Sequence, residues 1–466
     1  MLAFPFPTLI APISSPPIHP RHAAGDAGVD DRAAAAGPCR RPRTRTKERT
    51  MSTTMFGHAA TAWGRRPLNI TDADFKANPL PIYRYLRETH PVSRVKIGLL
   101  EGWMLTRYDD VLAFLKDDRF IKSPRALKAG DAAKNPWLPA TLRGLERTML
   151  NLDDPDHARL RGLVHKAFTP ARITQLEGRI QHMADELLAA MVRRAAAGQE
   201  VDLVRDFALP LPLTVIVELL GVPRADMALF TRWTRVLLQP LTRLSIVRLM
   251  PTVMAFSRYV RRHLNLRRLD PRDDLLTALV QAEDAGDRLS EDEAMSMVFL
   301  LLVAGHETTA NLIASGILAL LEHPDQLAAL REQPALAKPA IEELLRFVNP
   351  VEQSTERYAI EDVVIAGQAI RRGDMVLGCL AAANRDGRAF ARPDVLDLTR
   401  EHNRHLAFGQ GSHFCLGAPL ARLEGQIAIP AVLRRLPELR LAVPADRLRW
   451  RATPLVRGLE ALPIAF

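Results

Sequence analysis

Hydrophobic and polar positions divide the chain into three textures. Residues 1–50 show no apolar periodicity; they hold eight prolines, the run Ala33-Ala34-Ala35-Ala36 and a basic stretch from Arg40 to Arg49. Such a segment cannot bury enough apolar surface to offset chain entropy, so it reads as a disordered tail before one globular domain over 51–466. Its opening Met1-to-Ile13 is apolar but broken by Pro5, Pro7 and Pro12. That is well short of the ~20 residues that span a bilayer, and no basic region precedes it as in a signal peptide. Met51 or Met55 is the expected native start.

From Asp72 the pattern is globular. Asp74 to Glu88 predicts a helical start, Val92-to-Lys96 and Trp103-to-Thr106 a hairpin turning at Glu101-Gly102, and Tyr108 to Leu115 a helix. Residues 124–145 read as irregular. Helical periodicity then runs from Ala158 to Leu345, punctuated at Pro170, Gly198, Pro210-to-Pro212, Gly221-Val222-Pro223 and Gly286. After Pro350 the runs become short and β-like, at Val363-to-Ile365 and Met375-to-Leu380. The fold class is mainly α with a minor β component.

The longest helix is the most informative element. Ser290 and Glu293 form a capping box, proline is absent from Glu291 to Glu322, and His323-Pro324 stops the run. Its 32 residues span about 48 Å, enough to cross a domain. Met295 to Ala304 is nearly all apolar, which buries the helix, yet Gly305-His306-Glu307-Thr308-Thr309 follows at once. A mid-helix glycine costs about 1 kcal/mol against alanine, and threonine hydroxyls compete for carbonyls four residues back. Together they predict a local opening where the helix passes something flat. A Ser/Thr kink with Glu307 exposed is the other reading.

Composition adds bounds. The net charge is +10, of which residues 1–50 carry +4 (eight Lys/Arg, four Asp/Glu) and residues 51–466 carry +6. No aromatic-interleaved basic run or nucleic-acid motif is visible, which argues against a nucleic-acid partner and leaves a basic patch for an acidic protein. Three scattered cysteines, Cys39, Cys379 and Cys415, make no disulfide framework and point to a reducing, cytoplasmic compartment.

Cys415 stands in Phe408-Gly409-Gln410-Gly411-Ser412-His413-Phe414-Cys415-Leu416-Gly417. The glycines allow a sharp turn and a close backbone approach. A helix from Ala418 to Ile429 aims its N-terminal amides at the sulfur and favours a thiolate. One cysteine without a CxxC partner makes neither a zinc nor an iron–sulfur site. A single axial thiolate on a haem iron needs only one cysteine and a broad flat bed.

The string F-G-x-G-x-H-x-C-x-G resembles the haem-binding signature of the cytochrome P-450 family, and Ala304-Gly305-x-Glu307-Thr308 resembles its distal A-G-x-[D/E]-T motif. The resemblance covers roughly Asp72 to Phe466 and is closest to soluble bacterial members. It implies a single P-450-type domain, a long central helix over buried haem b, and Cys415 as the metal ligand. Phe408, Gly409, His413 and Gly417 would belong to the cofactor bed. Ala304 and Gly305 would clear space over the iron, with Glu307 and Thr308 handling protons and dioxygen. Glu343-x-x-Arg346 matches the family's buried brace under the cysteine loop. Val395 stands where its third partner is common, so Arg392 and Arg400 are the candidates. His157 and Arg161 match a propionate-binding helix start, Arg357 a second propionate contact and His405 a third.

The implied reaction is monooxygenation, hydroxylation or epoxidation, of a lipophilic small molecule of secondary metabolism, with O2 as co-substrate. No Gly-rich dinucleotide fingerprint is present, so electrons are expected from a ferredoxin and an NAD(P)H-dependent ferredoxin reductase. They would dock on a basic face near Arg161, Lys166, Arg404 and Arg422. The expected pocket walls are Arg125-to-Leu145, Leu211-to-Tyr259, Val298 to Leu302 and Val351-Glu352-Gln353-Ser354. A monomer without a membrane anchor is expected. A peroxide-driven or isomerising haem-thiolate enzyme and a non-catalytic haem sensor are the rival readings.

Overall fold

The computed structural model describes residues 67–98, 100–123, 148–237, 243–284 and 287–466. The expected tail and start sites, Cys39, Gly286 and the pocket wall Arg125-to-Leu145 lie outside the described residues.

The long helix organises the rest. It runs Glu291–Glu322 with both halves of the Ser290/Glu293 capping box formed, and His323 ends it. Its middle is buried on every side; Ile313, Ile317 and Leu320 have no exposed surface. Each such side chain contributes about 1.5–3 kcal/mol through burial. It is the one helix among the described residues long and apolar enough to cross a membrane by composition, and two-thirds of its apolar window (67%) is buried inside the protein. Small residues let neighbours close on it. A Cβ on Gly316 would meet Ile429 at 3.1 Å, and one on Gly425 would meet Leu312 at 3.2 Å and Ile341 at 3.3 Å. The helices Ala337–Val348 and Ala418–Arg435 therefore pack tightly against it. The latter extends past the expected end at Ile429 and continues through Pro430.

The sheet component is small, as expected. Six short strands lie in the order Leu68–Asn69, Val92–Ile97, Leu100–Leu105, Met375–Gly378, Arg357–Ala359, Phe120–Ile121. The hairpin turns earlier than its sequence suggested. Gly98 holds a positive φ of 60°, and Glu101 and Gly102 sit inside the second strand, opposite Lys96 and Val95. Gly102 is there for contact: a Cβ would lie 2.6 Å from the Met375 carbonyl oxygen on the next strand. The N-terminal helical segment is likewise two helices, Ala73–Ala77 and Leu80–Thr89, divided at Asn78-Pro79 because Pro79 supplies no amide hydrogen.

Candidate active site

Two positive-φ glycines shape the cysteine loop: Gly409 at 69° and Gly411 at 76°. At Gly411 a Cβ would stand 2.5 Å from the Leu115 carbonyl oxygen, so the loop lies directly on the end of the Tyr108–Lys116 helix. The Cys415 amide donates to the Phe408 carbonyl at 2.9 Å, and the helix begins at Ala418. The surface that Cys415 exposes opens into a cavity of about 340 Å³. Burial pushes its thiol up, against the amides of Gly417 and Ala418 and the cations of Arg161 and Arg422. The expected helix-terminus effect is therefore present but outweighed by desolvation.

The long helix lines the same cavity with Ala304, Gly305, Glu307 and Thr308. The Thr308 hydroxyl donates to the Ala304 carbonyl at 2.8 Å, and Thr309 donates to Gly305 at 3.0 Å. These are the expected back-bonds. The expected opening is not seen, because the helix is continuous from Glu291 to Glu322. The back-bonding hydroxyls share carbonyls without displacing the main-chain amides. The tip of Ile216 fills the space beside Gly305, 2.5 Å from where a Cβ would stand. Thr308 has spent its one proton on Ala304, which leaves its oxygen as an acceptor. Glu307 is ion-paired to Arg451 at 2.9 Å. That partner, 144 residues away, was not foreseen.

Basic side chains gather on another part of the wall. Lys122, Arg161, Arg357 and His413 line the cavity, and His157 packs on His413 with ring centroids 4.1 Å apart. Burial and the Arg357 guanidinium push Lys122 down to about 7. Burial, with Lys122, His157, Arg357 and Arg161 around it, pushes His413 down to about 2. His157 Nε2 and Arg357 Nε are buried without hydrogen-bond partners. Crowded basic side chains, with an orphaned Arg357 N–H beside an apolar cavity, fit a large, flat, apolar group carrying two carboxylates. Lys122 had no motif to mark it in sequence.

His405 does not join them. Its Nδ1 accepts the Ala407 amide at 3.2 Å, and its Nε2 lies 3.1 Å from Glu342. Both nitrogens are committed, and His405 is absent from the described cavity wall, which is a correction to its expected propionate role. Glu352 is also off the wall, buried in an ion pair with Lys76. Leu300 and Leu301 fall where a wall was expected, as do Ile216, Leu219, Val351, Gln353 and Ser354.

The brace is complete. Glu343 and Arg346 are fully buried and bonded at 2.7 and 2.8 Å. The third partner is Arg400, 3.0 Å from Glu343; Arg392 instead faces Asp397 at 3.5 Å. Asn403 and the Asp397 amide add bonds to Glu343, and Arg346 donates to the carbonyls of Asn384, Pro393 and Val395.

The model of the family described as Cytochrome P-450 matches residues 213–439. The polyketide biosynthesis cytochrome P-450 PksS of Bacillus subtilis (strain 168) is 42% identical over 402 residues, covering 84% of this chain and 96% of that protein. Cytochrome P-450 107B1 of Saccharopolyspora erythraea is 46% identical over 392 residues, with 82% and 93% covered. The chain belongs to the cytochrome P-450 family. The solved structure of PksS superimposes on this cytochrome P-450 with a TM-score of 0.79, at 41% identity, covering 85% of this chain and 98% of that one. That of P-450BioI, in complex with a hexadec-9Z-enoic acid ligated acyl carrier protein, gives 0.75 at 37% identity, with 85% and 100% covered. The protein is thus a cytochrome P-450 monooxygenase with haem b as its cofactor, and its bacterial relatives use redox partners and lipophilic substrates.

Proposed function

We propose that Cys415 is the proximal thiolate of this monooxygenase and that Glu307 and Thr308 serve the reaction above the cofactor. The observation that carries this reading is that all three side chains line one cavity. Lys122, His157, Arg161, Arg357 and His413 would hold the two carboxylates of the haem, and Phe408, Gly409 and Gly417 would form its bed with Ala304 and Gly305. When bound, the haem supplies dioxygen activation, so that two electrons and two protons place one oxygen atom in the substrate and release the other as water. The chain supplies the rest. Thr308 presents an acceptor oxygen held in place by its bond to Ala304. Glu307 carries a carboxylate tied to Arg451, positioned to pass protons from the rim toward Thr308.

The substrate in this reading is lipophilic, and an aliphatic wall supports it: Ile216, Leu219, Met297, Leu300 and Leu301 face the cavity. The name of PksS and the acyl chain bound with P-450BioI favour a polyketide or fatty-acyl guest of secondary metabolism. Electrons would come from a separate ferredoxin and its reductase. Of the basic side chains expected on the docking face, Arg161 is drawn inward to the Phe414 carbonyl at 2.7 Å and Arg422 is neutralised by Glu342. That shifts the docking role toward Lys166 and Arg404, both exposed. A cytoplasmic monomer completes the reading.

The absorption spectrum of the reduced, carbon monoxide-bound protein tests the ligand. A strongly red-shifted Soret band is expected in the native protein and its loss in Cys415→Ser; an unchanged band in that variant would remove Cys415 from the role. Thr308→Ala should keep consuming reductant while product falls and peroxide rises, and full coupling in it would refute the distal assignment.

A further inference from the structure

Glu342 and Glu343 are neighbours on one helix, yet they brace different things. Glu343 holds the segment 397–403, as described above. Glu342 ties together the two flanks of the cysteine loop, His405 before it and Arg422 after it. Its two oxygens accept from Arg422 Nε at 2.7 Å and Nη2 at 2.9 Å, a two-point contact. Its second oxygen also meets His405 Nε2 at 3.1 Å. Because His405 Nδ1 accepts the Ala407 amide, the ring is fixed as the neutral tautomer with its proton on Nε2. The unit therefore carries one negative and one positive charge, balanced.

Its location gives that balance a consequence. Arg422 lies over the Phe408 ring, 4.5 Å from its centroid. Phe408 lines the cavity and accepts the Cys415 amide through its carbonyl. Arg422 is one of two cations whose charge acts on the Cys415 sulfur. The other, Arg161, has a carbonyl as its described partner and no carboxylate. Among the described residues, Arg422 has a protein carboxylate against it, whereas Arg161 would face the haem's own carboxylates.

We propose that Glu342 is a positioning residue for the cysteine loop, which holds Arg422 over Phe408 and offsets its charge, and so sets how much positive potential reaches the Cys415 sulfur. The inference rests on the reading of Cys415 as the haem ligand. An uncountered Arg422 would withdraw electron density from the sulfur and favour the reduced iron; an uncountered Glu342 would do the reverse. Arg422 and Glu342 are each about one-third exposed (31 and 30%), so added salt should shrink both effects.

The test is the ferric–ferrous reduction potential of the haem-loaded enzyme in a double-mutant cycle. Glu342→Gln should raise the ferrous-to-ferric ratio at a fixed poise by about tenfold, or about 59 mV for one electron. Arg422→Gln should lower it, and the double variant should return close to native. A purely structural role would move both single variants the same way and the double variant further. That pattern, or three unchanged potentials, would overturn the proposal. The reduced carbon monoxide spectrum is taken on the same samples. If the native protein lacks the thiolate band, the ligand reading fails; if every variant keeps it while the potentials do not separate, only the Glu342 proposal fails.

Discussion

Glu424 sits on the cavity wall with about 1% of its surface exposed. One of its oxygens has no hydrogen-bond partner. Burial alone raises its carboxyl from the ordinary 4.5 to about 8, and no neighbouring charge counters that. At pH 7 the native group is therefore protonated, while the same group in the unfolded chain is ionised. A carboxyl raised on folding contributes most favourably below pH 4.5. Its contribution then worsens by about 1.4 kcal/mol per pH unit and levels off above about pH 8. Between 4.5 and 7 this amounts to about 3 kcal/mol against the folded state, and by pH 5 to less than about 1 kcal/mol. An unfolding entropy of ~2.1 cal/mol/K per residue over roughly 400 residues converts 3 kcal/mol to about 4 °C. Glu424→Gln removes the titration and keeps the shape. Thermal unfolding of the haem-loaded protein from pH 5 to pH 8 should show the variant gaining on native by about 3 °C between pH 5 and pH 7. Any constant offset belongs to the buried amide and is set aside. The infrared carbonyl band of a protonated acid should also be present at pH 7 and lost in the variant. A difference in Tm that stays flat across this range would refute the reasoning, because only a raised native value generates the slope.

Two other perturbations probe the brace and the cation cluster. Glu343→Ala strands the Arg346 guanidinium at zero exposure and should cost about 3–5 kcal/mol, seen as a lower Tm and haem lost on gel filtration; a loss under about 1 kcal/mol would show the pair to be dispensable. Lys122→Met should weaken haem retention by about tenfold or more, the worth of one hydrogen bond to a charged group, yet relieve crowding near Arg357 and His413 and so stabilise the haem-free protein. Haem transfer to apomyoglobin and apo Tm measure the two effects, and movement of both in the same direction would dismiss an anion-holding role.

What could be read from sequence was whatever the chain states locally. The long helix is bounded by a capping box at Ser290 and a stop at His323-Pro324, both local signals, and its limits were legible. The cysteine loop was legible because Gly409 and Gly411 encode a backbone that other residues resist. The predicted opening at Gly305 was wrong for an equally physical reason. Glycine and threonine each carry a cost in a helix, but a side chain from another helix, Ile216, occupies the space that glycine leaves. Lys122 and Arg451 were missed because their bonded partners, Thr355 and Glu307, lie more than one hundred residues away in the chain, and no local pattern marks a lysine or arginine that will fold inward.

The acidic pair on the Ala337–Val348 helix shows how far a motif carries. The family pattern marks Glu343 and Arg346 and is silent on Glu342 immediately before them. Adjacent helical positions point about 100° apart, so two neighbouring carboxylates need not share a partner. Glu343 turns inward to Arg346 and Arg400, with no exposed surface. Glu342 turns toward His405 and Arg422, where burial that would raise its carboxyl is overridden by those two donors and it is held down to about 2. His405 matched a cofactor contact by family motif alone. With that carboxylate accepting from Nε2, His405 belongs with Arg422 in the support of the loop. The cysteine loop thus rests on two braces from consecutive residues. One is fully buried and bears mainly on stability; the other lies close enough to Cys415 for its charge balance to bear on chemistry.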